Sequence, residues 1–347
     1  MSTVRVMGLI AAGAAATSLA LSAVPAQAAS SYVALGDSYS SGTGTRDYIN
    51  DGTQCLRSTK AYPSLIAAAK GYSLNFRACS GATIPDVTNT QLSALSASTT
   101  HVSISIGGND AGFADVLTEC AMPGWASNCN GAINTAQSYI TNTLPGRLST
   151  LYTSIRSKAP NARVVVVGYP RIFMGEDCNA FTWFSPSEQS RLNQTADLIN
   201  SKTSAAAAAK GFSFANPTSR FVGHAVCDSP EWLNGLSNPI VESYHPNVAG
   251  HRDGYTPTVS TPLTGSTVKV NGKVARAADA SAERLAARQR TYAGQDASIT
   301  PKQFRVPDLT TAAVKAAAAR AGVNLNSRAS IDAADRVWSQ RQAVSNN

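Results

Sequence analysis

Short apolar runs that stop at glycine recur along the chain. Tyr32–Gly36 reads Tyr-Val-Ala-Leu-Gly, His101–Ile106 runs into Gly107-Gly108, and Arg163–Val167 carries four valines before Gly168. Unbroken apolar runs of this length suit strands buried on both faces of a parallel sheet. Ser73–Arg77 and Phe212–Phe214 are weaker runs of the same kind. Helical stretches separate them, at Pro63–Ala69, Ile133–Ala159 and Pro186–Lys210. The last opens on Ser185 as a cap with Pro186 in the first turn, and Gly211 suits its stop. Strands alternating with helices predict a parallel sheet with helices on both faces. Ligands of such sheets sit off the carboxyl ends of the strands, so the Gly-rich ends at 36–44 and 107–112 converge on one crevice.

The pattern fades near Gly265. Thr256–Ser266 is rich in Thr, Pro and Ser and reads as a linker. Beyond it the chain is rich in Ala and Arg, with helices expected at Ala280–Gln289 and Thr310–Ala321. Two readings of this extension stay open, a small helical appendage or a partly disordered tail. At the other end, Arg5 precedes an apolar stretch from Met7 to Val24, then Pro25 and the small-x-small triplet Ala26-Gln27-Ala28. That is the form of a secretory signal, expected to occupy 1–28. A catalytic domain at 29–260 and a linker with extension at 261–347 would follow.

Composition sharpens this division. With 43% hydrophobic and 14% charged residues among 347, the chain is neither disordered throughout nor, at mean hydropathy −0.10, a polytopic membrane protein. The net charge of +8 invites a nucleic-acid reading, but its distribution does not support one. Residues 1–265 hold 16 basic against 15 acidic side chains, and 266–347 hold 13 against 6. The basic excess thus belongs to the extension, where an anionic envelope or lipid surface is the matching partner. Six cysteines, all beyond the signal, suggest disulfides of an exported protein; they allow 15 pairings, and none has zinc-site spacing.

Four peptides can carry chemistry. In Gly36-Asp37-Ser38-Tyr39, a serine just after a strand presents its hydroxyl at the crevice, and its own N–H can donate to an oxyanion. In Cys79-Ser80-Gly81-Ala82, the glycine lets a backbone N–H approach a ligand. Gly107-Gly108-Asn109-Asp110 puts a neutral amide donor at a strand end. Ser243-Tyr244-His245-Pro246 supplies a base with near-neutral pKa, held outside a helix by the following proline. Of the other histidines, His101 opens a strand at the far end, His224 is expected in a surface loop, and His251 on a following helix, exposed or capping. Each peptide alone can equally be a Ser/Gly or Asn/Gly turn.

Taken in order, Gly36-Asp37-Ser38, Gly81, Asn109 and His245 resemble the SGNH (GDSL-type) hydrolase superfamily. The span 30–260 looks like its secreted streptomycete lipase and phospholipase A1 branch. The resemblance implies a three-layer α/β/α, flavodoxin-like fold with a central parallel sheet. It implies Ser38 as nucleophile, His245 as base, and an oxyanion hole of Ser38 N–H, Gly81 N–H and the Asn109 amide, with no metal or organic cofactor. It also implies the pairs Cys55–Cys79, Cys120–Cys129 and Cys178–Cys227. No G-x-S-x-G elbow surrounds Ser38, unlike in ordinary α/β-hydrolases. The chain departs from the common Asp-x-x-His pattern, with Glu242 three before His245. Either Glu242 or the Ser243 main-chain carbonyl, as in some relatives of this branch, would orient the imidazole.

The expected substrate is an acyl ester of a lipid, met by a monomer, with a lipid–water interface as partner and no nucleic acid. Phe113, Met122, Trp125, Phe173, Met174, Phe181, Trp183 and Phe184 are candidates for an acyl groove. A carbohydrate acetyl-esterase and a lipid acyltransferase are the alternatives. From another class, a non-catalytic envelope-binding protein on the same scaffold remains; intact Ser38, Asn109 and His245 argue against it.

Overall fold

In a computed structural model, which describes residues 1–4, 8 and 30–345, five strands form one parallel sheet in the order β2-β1-β3-β4-β5. These are β1 (Ser31–Gly36), β2 (Ser73–Phe76), β3 (His101–Ser105), β4 (Arg163–Val167) and β5 (Ser213–Ala215). The apolar runs are strands for the reason their composition implies. Val33, Ala34, Leu35, Val102, Ile104 and Val165–Val167 are all shut from solvent, as a sheet covered on both faces requires. The signal-peptide expectation lies largely outside the described residues.

The helices are α1 (Ser38–Ser41), α2 (Tyr62–Lys70), α3 (Phe113–Cys120), α4 (Cys129–Asn142), α5 (Leu144–Lys158), α6 (Pro186–Ala208) and α7 (Thr256–Thr264), with short turns between. They complete a three-layer α/β/α fold. The expected single helix at 133–159 is two, because Pro145 in the first turn of α5 lacks the N–H needed to continue α4. The ends of α6 follow expectation: Ser185 and Glu188 form a reciprocal capping box, and Gly211 closes the far end at φ +65°.

Thr256–Ser266 is not a linker. Thr256–Thr264 is helical, with Val259 and Leu263 fully buried four residues apart against β4 and β5. The Thr/Pro/Ser composition hid this apolar stripe. His251 is likewise buried rather than exposed: it stacks on Tyr62 beneath α2.

The extension is helical: α8 (Gly272–Asp279), α9 (Ala282–Arg290), α10 (Ala312–Ala321) and α11 (Arg328–Ser345). It wraps the catalytic layers rather than hanging from them. α8 packs on α2, α9 on β2, and α10 and α11 on the turn at Gly124–Ala126. Asp296, fully buried, bridges Arg57 Nη2 at 2.7 Å and Arg77 Nη2 at 2.8 Å.

Candidate active site

The site forms where β1 and β3 end. Gly36 has φ +119°, and a Cβ there would lie 2.2 Å from Ser105 O, so the exit of β1 must be glycine. Asp37 follows as the N-cap of α1, accepting from Tyr39 N–H at 3.1 Å. Its carboxylate also takes Ser105 Oγ at 2.6 Å and Tyr169 Oη at 2.5 Å. Burial pushes its pKa up to about 6, against the pull of these three donors. So held, α1 fixes Ser38, 6% exposed, at the helix start, where backbone N–H groups lack intrahelical acceptors.

His245 arrives from a loop. Its Nε2 lies 2.9 Å from Ser38 Oγ, and its Nδ1 lies 2.8 Å from Ser243 O. The Glu242 carboxylate points elsewhere, accepting from Tyr48 Oη at 2.6 Å and Arg46 Nε at 3.0 Å. Burial pushes the His245 pKa down to about 4, and the Ser243 carbonyl opposes that shift only in part. The imidazole is therefore neutral at pH 7 with Nε2 free to accept, the state a general base requires. Tyr39 Oη donates to Tyr244 O at 2.7 Å, tying the residue after Ser38 to the residue before His245. Tyr244 sits at φ +61°, a conformation rare for a bulky residue; the packing of Phe173 and Phe184 around its ring holds it there.

Gly81 and Asn109 border the same cavity as Ser38 and His245. The Gly81 loop, at φ +83°, is pinned by the Cys55–Cys79 disulfide and by Ser80 N–H donating to Cys55 O at 3.0 Å. Asn109 Nδ2 donates to Ala82 O at 3.0 Å, which orients the amide and leaves its second N–H. Among the described residues neither the Ser38 nor the Gly81 backbone N–H has a protein acceptor. The other two bridges are Cys120–Cys129 and Cys178–Cys227.

A second cavity leads away from Ser38. It is a narrow apolar cleft between α3, α4 and α6, walled by Val116, Leu117, Ile140, Ile172, Leu192 and Ile199. Of the aromatic and Met residues expected to line a groove, Phe113 alone is among its walls. Phe173 and Phe184 support Tyr244, while Phe181 and Met174 point to solvent. Trp125 and Trp183 face the extension: Trp183 Nε1 donates to Asp332 at 2.9 Å under the Arg328 guanidinium. Those residues cluster after strand ends in sequence, but the real walls come from helix faces far apart in it. Sequence reasoning also passed over Asp37, Tyr39 and Tyr169 as supports. The first two flank Ser38 in its own motif, and Tyr169 follows the end of β4.

A serine hydroxyl in hydrogen-bond reach of a neutral imidazole, at the carboxyl edge of a parallel sheet, is the arrangement a serine ester hydrolase requires. Comparison with known proteins makes the class specific. Residues 34–252 match the GDSL-like Lipase/Acylhydrolase family, and the chain belongs to it. It is 46% identical over 256 residues to Lipase 1 of Streptomyces coelicolor, covering 73% of this chain and 94% of that one. The solved structures of an extracellular lipase from Streptomyces rimosus and of phospholipase A1 from Streptomyces albidoflavus NA297 each superpose with TM-score 0.65, at 43% and 44% identity. In both cases 68% of this chain covers 100% of the other, and the family match stops before the extension.

Proposed function

We propose that the protein is a secreted hydrolase of long-chain acyl esters of lipids, with phospholipase A1-type substrates in its range, acting as a monomer at a lipid–water interface. Ser38 Oγ attacks the ester carbonyl while His245 Nε2 takes its proton. Ser38 N–H, Gly81 N–H and the free Asn109 N–H receive the oxyanion. His245 returns the proton to the leaving alcohol, and water repeats the sequence on the acyl-enzyme. The Ser243 carbonyl accepts from Nδ1–H, keeping the tautomer in which Nε2 is the acceptor. Asp37 and Tyr39 are positioning residues, holding α1 and the His245 loop in register.

The observation that carries the substrate reading is the cleft that begins at Ser38 and is walled by aliphatic side chains of three helices. Each methylene buried there contributes about 0.8 kcal/mol, so the cleft rewards long chains over acetyl groups. Export is supported by the signal-like start, three disulfides and a relative named as an extracellular lipase. The test is a rate profile over acetyl, octanoyl and palmitoyl esters and phosphatidylcholine, with Ser38→Ala as the control. Long chains should lead, and Ser38→Ala should lose at least about a thousandfold at unchanged melting temperature. A tenfold preference for acetyl esters would move the protein to the acetyl-esterase reading. Full activity of Ser38→Ala would remove the mechanism.

A further inference from the structure

The extension crosses the alcohol side of the site. After the buried anchor at Asp296, residues 299–307 run without helix or strand before α10 begins. Ile299 is buried beside the Cys55–Cys79 bridge and Ala82. Pro301 lies against the oxyanion loop so closely that a Cβ on Gly81 would sit 2.4 Å from the Pro301 Cα. Lys302, Gln303 and Phe304 then complete the walls of the cavity that holds Ser38, Gly81, Asn109 and His245. Phe304 is 5% exposed, and its ring centroid is 5.0 Å from that of Tyr244. The acyl cleft has no wall from the extension. The segment therefore covers the side where the alcohol half of an ester must lie, and leaves the acyl side alone.

Its hold is graded. Both flanks are firmly docked, upstream by the Asp296 bridge to two buried arginines and downstream by Asp335, which accepts from Gly124 N–H at 2.7 Å. Between them, the span is held by the Phe304 ring, by Arg305 N–H donating to Thr118 Oγ1 at 3.0 Å, and by two exposed ion pairs. Those pairs join Asp115 to Lys302 Nζ at 3.5 Å and to Arg305 Nη2 at 3.3 Å. Exposed pairs of this kind are weak and screened by salt. The family match ends at residue 252, so the cover lies outside the matched span.

We propose that Ile299–Arg305 is an intramolecular inhibitory strap, which must lift from the alcohol side before a glycerolipid can reach Ser38. The inference rests on the ester-hydrolase reading. The test compares the full chain with Lys302→Ala/Phe304→Ala/Arg305→Ala in the same length. Two rates of covalent labelling at Ser38 are read, with diisopropyl fluorophosphate and with a long-chain biotinylated fluorophosphonate, alongside kcat/KM on phosphatidylcholine vesicles. If the strap is open about a tenth of the time, releasing it raises the bulky-reagent and vesicle rates about tenfold and the small-reagent rate far less. Asp115→Asn, which cuts both ion pairs from the catalytic side, should shift the same ratio in the same direction by less. It also serves as the decisive variant if the triple substitution lowers the melting temperature. A bulky-to-small ratio unchanged in both variants overturns the strap while leaving the hydrolase intact. A loss of vesicle activity in Asp115→Asn overturns it too, because the segment would then be a productive wall. Failure of every form to label at Ser38 removes the hydrolase reading and the strap with it.

Discussion

Replacing Glu242 with alanine separates the two ways of holding the His245 ring. Glu242 occupies the position of the usual triad acid and is 1% exposed, yet its oxygens bind Tyr48 Oη and Arg46 Nε. The imidazole Nδ1 is already matched by Ser243 O at 2.8 Å, a main-chain atom that no side-chain substitution removes. The cost of Glu242→Ala should therefore fall on stability. The Arg46 pair is worth at most about 1 kcal/mol, since that guanidinium is 60% exposed. The Tyr48 bond to a charged acceptor adds about 1.5–3 kcal/mol. Because Glu242 ends the turn that carries Ser243, the carbonyl can shift slightly, and a loss in kcat of up to about tenfold, or 1.4 kcal/mol, is allowed for. Removing the function of a true triad carboxylate costs about 10⁴ in kcat. The assay is kcat and KM on p-nitrophenyl octanoate, with thermal unfolding followed by circular dichroism. A loss of about a thousandfold or more in a folded variant would refute the carbonyl assignment.

Two further outcomes follow from the same geometry. Asn109→Ala should lower kcat by about 10²–10³ with KM little changed, and cost only about 1 kcal/mol of stability through the lost bond to Ala82; retention of activity within threefold of wild type excludes Asn109 from the oxyanion hole. His245, with its pKa lowered to about 4, stays neutral well below the ordinary histidine range; in Asp37→Asn, which removes the carboxyl that titrates near 6 beside Ser38, kcat/KM on a soluble short ester should hold level from pH 8 to about 5 and fall with a midpoint near 4. The matching stability contribution has the depressed-pKa sign: it is fully present above the unfolded value of about 6.5 and is lost as pH falls through 4. An acid limb at 6.5 in Asp37→Asn, still folded by circular dichroism, contradicts the buried environment described for the ring.

Much of the framework was legible in the sequence because it depends on local pattern. The valine run before Gly168 and the apolar stretch before Gly107 announce buried parallel strands, and Ser185-Pro186 announces a helix start. The four site peptides, each equally a turn when taken alone, stood out together through their resemblance to the SGNH hydrolases, and the structure brings Ser38, Gly81, Asn109 and His245 around one cavity. What stayed hidden depends on tertiary partners. Val259 and Leu263 make a buried stripe only because β4 and β5 lie beneath, so composition read a linker where a helix stands. His251 is drawn inside by Tyr62, 189 residues earlier in the chain. The acyl cleft joins Val116, Ile140 and Leu192 from three helices, and no short peptide contains that information. The choice between Glu242 and Ser243 turned on which way one side chain points, and Arg46 with Tyr48 decided it.

The Asp296 bridge has a consequence for how this protein can be divided. By likeness to its relatives, the enzyme would end shortly after residue 252, and cutting at Gly265 is the natural shortening. Such a cut would take away the one carboxylate that pairs with Arg77 among the described residues, and half the partnership of Arg57. The same cut takes away Gln289 and Tyr292, which lie on Arg77, together with α9 over β2, so the guanidiniums lose their cover along with their partner and meet water. A charge would be stranded instead by Asp296→Ala in the full chain, where the cover stays and loss of one partner of a buried pair costs about 3–5 kcal/mol. Shortening to the end of the family match at residue 252 would therefore lay open a face of α2 and β2 that the full chain keeps covered.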